Sequence, residues 1–163
     1  MSTETLVRSP LKLIGLILLC NLIGASGSVF TTTGPGSWYA SLVKPWFTPP
    51  GWLFAPAWTT LFTLMGIALY LVLMDGRASR WFRPAIAVFT FQFLLNVLWS
   101  YFFFGLQSPL LGLADILVLW IAILGCILVF VRIRLLAGIL LVPYILWVSF
   151  ATLLNYSIYV LNG

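Results

Sequence analysis

The side chains with chemical reach in this sequence are indoles, amides and one carboxylate, and they recur at helical spacing. Phe54, Trp58, Leu61, Phe62 and Met65 share one face of a helix. Gln92, Asn96, Trp99 and Phe103 fall at i, i+4, i+7 and i+11 of another. Pro143, Trp147, Ala151 and Asn155 recur every four residues on a third, with Tyr144 beside them. Two readings are open. One is helix packing tied by amide hydrogen bonds, as in many bundles within lipid. The other is an aromatic pocket with a few polar groups, suited to a flat apolar ligand. Asp115 is the one acid deep inside an apolar run, a functional position by default. It lies only about 9 Å beyond Pro109 at the helical rise, near a positive helix end, so a structural hydrogen-bonding role fits equally. By spacing it shares a face with Leu111, Ala114 and Val118.

Other chemistries are poorly served. Histidine is absent, and Cys20 and Cys126 sit in apolar runs without ligand spacing, so they read as small buried hydrophobes. No metal site and no obligate cofactor is expected. Paired carboxylates, a serine–base pair, a phosphate-cradling glycine loop and a chain of intramembrane charges are all missing. Hydrolase, ATPase and ion-pump readings therefore have little support, and one acid makes a proton-coupled transporter a weak reading.

The elements that must position these groups are membrane helices. Of 163 residues, 63% are hydrophobic and 7% charged, with mean hydropathy +1.14. A soluble domain carries roughly a quarter charged residues, so this chain could not cover a water-facing surface. Apolar runs at residues 11–32, 52–74, 84–104, 109–131 and 135–161 are each long enough to cross a bilayer core of about 30 Å. They are continuous rather than alternating, which argues for helices. The expectation is an all-α fold, a single integral membrane bundle of five transmembrane helices over residues 1–163. Pro49-Pro50 forces extended backbone before the second helix. Ser108-Pro109 supplies a cap and a first-turn proline to the fourth. The first run has a basic flank and ends in Gly24-Ala25-Ser26-Gly27-Ser28, which imitates a signal-peptide cleavage site; four further spans favour an uncleaved helix. The short loops after helices two, three and four predict antiparallel neighbours.

The net charge of +5 is a topology signal rather than a nucleic-acid footprint. Arg8, Lys12, Arg77, Arg80, Arg83, Arg132 and Arg134 fall on one side, and Lys44 alone on the other. The positive-inside rule puts the N-terminus in the cytoplasm, with the first loop and C-terminus opposite. Trp38, Trp46, Trp52 and Trp81 fit an interfacial belt, whereas Trp58, Trp99, Trp120 and Trp147 lie deeper and need partners for their N–H groups. Residues 33–51 form the one long loop. Its aromatics and prolines suit a lid over the bundle mouth. Gly24 with Ser28, and Gly24 with Gly27, make smooth patches for packing within the bundle or between proteins.

Particular stretches resemble a known family. Trp38-Tyr39, Leu42, Lys44-Pro45 and Pro49-Pro50 resemble the first loop of the translocator protein family, also called tryptophan-rich sensory proteins or peripheral-type benzodiazepine receptors. FAPAWTTLFTLMGIALYLV from Phe54, QFLLNVLWSYFFFG from Gln92 and LLVPYILWVSFATLLNYSIYVLN from Leu140 resemble its second, third and fifth helices. The resemblance implies five helices around a pocket that takes tetrapyrroles such as protoporphyrin and haem. It maps that pocket onto Tyr39, Pro49, Phe54, Trp58, Phe62, Asn96, Phe102, Ala114, Trp147 and Ala151. Asn96 would supply an amide hydrogen bond, and Ala151 room at a contact of helices one and five. The implied function is a receptor or carrier for porphyrin or haem. The alternatives are light- and oxygen-dependent porphyrin degradation through Trp58 and Trp147, and a regulatory membrane partner without transport. A homodimer is implied by resemblance alone. Cholesterol binding is doubtful, because no basic residue follows Tyr156. The short tail resembles prokaryotic members, which implies a bacterial or archaeal envelope membrane.

Overall fold

The computed structural model describes residues 9–163; Arg8, counted in the charge asymmetry, lies outside the described residues. Helix α1 spans Pro10–Ser26 and runs on as a 3-10 turn to Phe30. A short helix α2, Trp38–Ser41, lies in the first loop. Helix α3, Phe54–Asp75, is entered through a 3-10 turn at Gly51–Leu53. Helix α4, Phe82–Ser100, ends in a π-helical turn over Tyr101–Gly105. Helix α5 spans Pro109–Phe130, α6 Leu135–Ile139 and α7 Val142–Asn162. Five segments are long and apolar enough to cross a membrane: Pro10–Phe30, Gly51–Asp75, Phe82–Gly105, Pro109–Phe130 and Leu135–Asn162. No strand occurs among the described residues. The all-α reading therefore holds.

Local chemistry explains where the helices begin and break. The Ser108 hydroxyl accepts from the Leu111 N–H at 3.2 Å, and Pro109 follows at the first helical position, so α5 starts as its sequence predicts. The fifth run is not one helix. Pro143 has no N–H for the Ile139 carbonyl, and the run divides into α6 and α7 there. The π turn is closed by the Leu106 N–H on the Tyr101 carbonyl at 2.8 Å.

Packing departs from the order of the short loops. Helix α1 lies closely along α3, α4 along α5 and α5 along α7, while α3 and α4 approach weakly despite the short loop between them. Large rings hold those two apart, with Phe62 and Phe93 meeting at 5.9 Å between centroids. The α1–α3 contact is close because of Gly66, where an added Cβ would stand 2.7 Å from the Ile17 Cα. Gly24 serves the same half of the bundle, since its Cβ position falls on the Phe62 ring at 2.3 Å. That smooth patch is used inside the bundle. At the end opposite the first loop, Arg134 Nη1 donates to Asp75 Oδ2 and ties the α5–α6 turn to the end of α3.

Candidate functional site

The aromatic stripes converge midway along the bundle. Trp58 on α3 is the centre: its indole stacks on Phe62 at 5.4 Å and meets Tyr144 and Trp147 edge-on at 6.3 and 6.5 Å. Phe54 meets Trp147 at 6.0 Å. Such pairs contribute about 0.5–1.5 kcal/mol each beyond the area they bury. On α4, Trp99 stacks on Phe103 at 5.2 Å.

Amides fix the α4, α5 and α7 side of this core. Asn96 Nδ2 donates to the Tyr144 hydroxyl at 2.9 Å. Trp99 Nε1 donates to Asn155 Oδ1 at 3.1 Å, and Asn155 Nδ2 donates to the Pro109 carbonyl at 2.8 Å, so one buried amide joins three helices. Toward the outer surface, Trp120 Nε1 donates to the Ser149 hydroxyl at 2.8 Å. Two of the four deep indoles therefore have partners. Among the described residues, the N–H groups of Trp58 and Trp147 have none.

Two further groups are stranded. Gln92 is 1% exposed and both its amide atoms lack a partner; Asp115 is 6% exposed and its Oδ2 lacks one. Unpaired buried polar atoms cost about 1–3 kcal/mol each, so these mark places where stability has been given up. The face expected for Asp115 is corrected here. Leu111, Ala114 and Val118 are exposed, and Asp115 lies with Gly112, Ile116 and Leu119 on the inward face of α5. A helix apolar all round carries no periodicity to distinguish the two.

At the centre is a cavity of about 10 Å³, lined by Trp58, Asn96, Trp99, Ile116, Leu119, Val148 and Ala151. It has room for about a single water molecule. A ligand of tetrapyrrole size enters only if rings or helices move.

The first loop closes one end. Trp38 and Tyr39 lie edge-on to Phe103 at 5.7 and 6.3 Å, and Tyr39 is 5.4 Å from Phe104. Phe47 meets Phe150 at 6.3 Å. The Asn162 amide grips the loop backbone, accepting from the Val43 N–H at 2.8 Å and donating to the Val43 carbonyl at 2.9 Å. The Lys44 ammonium lies 4.6 Å from the centre of the Tyr39 ring and donates to the Leu42 carbonyl at 3.3 Å. Burial raises the pKa of the Tyr39 phenol above its ordinary value. Trp46, by contrast, is 95% exposed, as an interfacial indole should be.

Of the residues named from sequence, Phe54, Trp58, Phe62, Asn96, Trp147 and Ala151 come together in this core. Tyr39 sits above it through Phe103, and Pro49 is half-buried in the loop. Phe102 and Ala114 do not join: Phe102 lies against Tyr101 at 5.8 Å, and Ala114 is exposed. Ala151 faces the cavity, and α7 packs on α5 rather than α1, so no contact of helices one and five is relieved there. Ile116, Leu119 and Val148 line the cavity without having been singled out. Trp99, singled out by spacing in the Gln92–Asn96 stripe though not by the resemblance, lines it as well. No group of metal-ligating side chains occurs among the described residues.

Five apolar helices around a buried core of rings and amides, closed at one end by an aromatic loop, define a small multi-pass integral membrane protein. Residues 16–161 match the TspO/MBR family, and the chain belongs to that family. It is 49% identical over 156 residues to the tryptophan-rich protein TspO of Chlorobaculum tepidum, covering 95% of this chain and 98% of that one. Identity to the protein of the same description from Archaeoglobus fulgidus is 47%, over 94% and 98% of the two chains. The translocator protein of Bos taurus is 33% identical, over 90% and 87%.

Proposed function

We propose that this chain is a membrane receptor or carrier for flat apolar ligands of the tetrapyrrole class, held between Trp58 and Trp147 with Asn96 as a polar contact. The observation that carries the reading is the ring cluster of Phe54, Tyr144 and Trp147 around Trp58, which itself lines a cavity that also receives the Asn96 amide. Binding widens the core by moving side chains, and the free indole N–H groups and the stranded Gln92 and Asp115 atoms then meet the ligand or water. The resemblance supplies the ligand class; protoporphyrin and haem are its members. Titration of the detergent-solubilised protein with protoporphyrin, followed by tryptophan quenching, tests this. Trp58→Ala and Trp147→Ala are each expected to weaken binding by about fivefold or more, the worth of about 1 kcal/mol per ring contact. Unchanged titrations for both would remove this core from consideration.

A second reading uses the same two indoles. They meet edge-on at 6.5 Å, so a porphyrin that parted them would touch both, and either could give an electron to its excited state, with dioxygen as the final oxidant. Under illumination in air, loss of the porphyrin absorbance to a discrete product that needs both tryptophans supports it. Equal bleaching by free tryptophan argues against it. The charge asymmetry supports an orientation with the N-terminal side in the cytoplasm and the first loop opposite. A homodimer would form through outward helix faces, because Gly24 and Gly27 pack within the bundle against Phe62 and Ser100.

A further inference from the structure

Space of ligand size exists in this protein, but on the outside of the helix ring. A groove of about 610 Å³ separates α3 from α7, with Ala57 and Thr60 on one bank and Leu146, Trp147 and Phe150 on the other. That volume falls within the usual range for small-molecule sites, about 300–1,000 Å³. The groove faces the lipid: Leu146 is 64% exposed. Its lining is nearly apolar: the Thr60 hydroxyl donates to the Pro56 carbonyl at 2.8 Å, which leaves the Trp147 N–H as the free polar group there among the described residues. A groove in this position is reached from the bilayer, and a flat solute already in lipid gains there through ring contacts with Trp147 and Phe150 rather than by leaving water.

The groove and the central cavity are separated by one layer of rings. Trp147 lines the groove and meets Trp58 at 6.5 Å, and Trp58 lines the cavity. The seam at this point is also lightly secured. Hydrogen bonds between side chains, or from side chain to carbonyl, join α1 to α3, α4 to α7 and α5 to α7. Among the described residues none joins α3 to α7; the link there is the edge-on contacts of Phe54, Trp58, Tyr144 and Trp147. Pro56 and Pro143 stand on the two banks, each in the first turn of its helix, where it leaves the carbonyl of the residue four before it (Trp52 and Ile139) without that N–H donor and loosens the junction with the preceding turn. The loop end is fastened more firmly, by both Asn162 hydrogen bonds and by the Trp38, Tyr39 and Phe47 ring contacts.

We propose that the α3–α7 groove is a second, membrane-facing site for the flat apolar ligand and that Trp147 is the gate through which the ligand passes sideways from the bilayer into the core. This rests on the tetrapyrrole-binding reading above.

The test is stopped-flow exchange of protoporphyrin IX between phosphatidylcholine vesicles and the protein reconstituted in nanodiscs. Thr60→Phe and Ala57→Phe fill the groove from its lipid side; thermal unfolding identifies whichever of them folds normally. Association and dissociation are both expected to slow by about tenfold or more at nearly constant Kd, because a gate acts on both directions alike. Asn162→Ala, which releases the loop, is expected to leave both rates unchanged. Wild-type rates in the filled variants, with faster exchange in Asn162→Ala, would overturn the proposal in favour of the loop as gate. Wild-type rates in all of them would leave the groove as a seat for lipid chains and overturn it too. If the wild-type protein binds no protoporphyrin, the ligand reading itself fails, which is a separate and recognisable result.

Discussion

Removing the Tyr144 hydroxyl should move stability and ligand affinity in opposite directions. Asn96 Nδ2 donates to that hydroxyl at 2.9 Å, with both residues buried, so the amide proposed as the ligand's polar contact is already engaged by the protein. Tyr144→Phe keeps the ring that meets Trp58 edge-on and deletes only the acceptor. Hydrogen bonds between helices in lipid are worth about 0.6 kcal/mol on average and about 1.7 at most. The variant should lose that much stability. It should bind protoporphyrin about 3- to 18-fold more tightly, because ligand no longer displaces a protein partner from Asn96. Reversible unfolding in detergent and a quenching titration on the same preparation measure both quantities. If stability and affinity fall together, the hydroxyl is itself a ligand contact or holds Asn96 in position, and the competition argument is wrong.

Three further outcomes follow from the packing. Asn155→Leu strands the Trp99 N–H, while the Pro109 carbonyl keeps its helical partner, and should lower stability by about 1–3 kcal/mol, with most of the loss absent when Trp99 is already Phe in a double-mutant cycle. Gly66→Ala places a methyl 2.7 Å from the Ile17 Cα and should cost about 1–3 kcal/mol, seen as a lowered unfolding midpoint, whereas Gly15→Ala meets open space and should not. Arg134→Ala breaks the partly exposed pair with Asp75 and should cost at most about 1 kcal/mol, an effect that shrinks as salt is raised in the same unfolding assay.

The membrane spans were legible because lipid imposes a length and an uninterrupted apolar character that few other structures share. The Ser108-Pro109 start was legible because a cap is local chemistry. Pro143 was also visible, and its consequence, a helix divided after Ile139, follows from one missing N–H. The π turn was not legible, because Tyr-Phe-Phe-Phe-Gly offers rings in every direction; Phe103 was, since it continues the Gln92, Asn96 and Trp99 stripe and is buried against Trp38, Tyr39 and Trp99, whereas Phe102 was named by resemblance alone. The inward face of α5 was hidden for a related reason. With leucine, isoleucine and valine on every side, only contact with Asn155 and Phe103 around Gly112 selects the face that carries Asp115. Loop length misled for α3 and α4, since a short connection brings two helices near without obliging them to pack when phenylalanines fill the gap.

The distribution of hydrogen bonds gives the bundle its mechanical character. Asn155, Tyr144 and Ser149 make α4, α5 and α7 one unit. Asn21 Nδ2, which donates to Thr63 Oγ1 at 3.2 Å, and the glycine contact at Gly66 make α1 and α3 another. The units meet at the loop end through Gly27 against Ser100, and at the far end through Arg134 and Asp75. Between those ends they touch largely through rings: Phe62 on Phe93, Trp58 on Tyr144, Phe54 and Trp58 on Trp147. Ring contacts re-form against any flat partner, whereas a broken amide pair in lipid must find another polar group. If the core widens from about 10 Å³ to take the proposed ligand, it opens most readily along the divide that rings alone cross between the two ends, where Trp58 and Trp147 stand; the Asn96–Tyr144 pair, internal to one unit, is the hydrogen bond the ligand then has to replace.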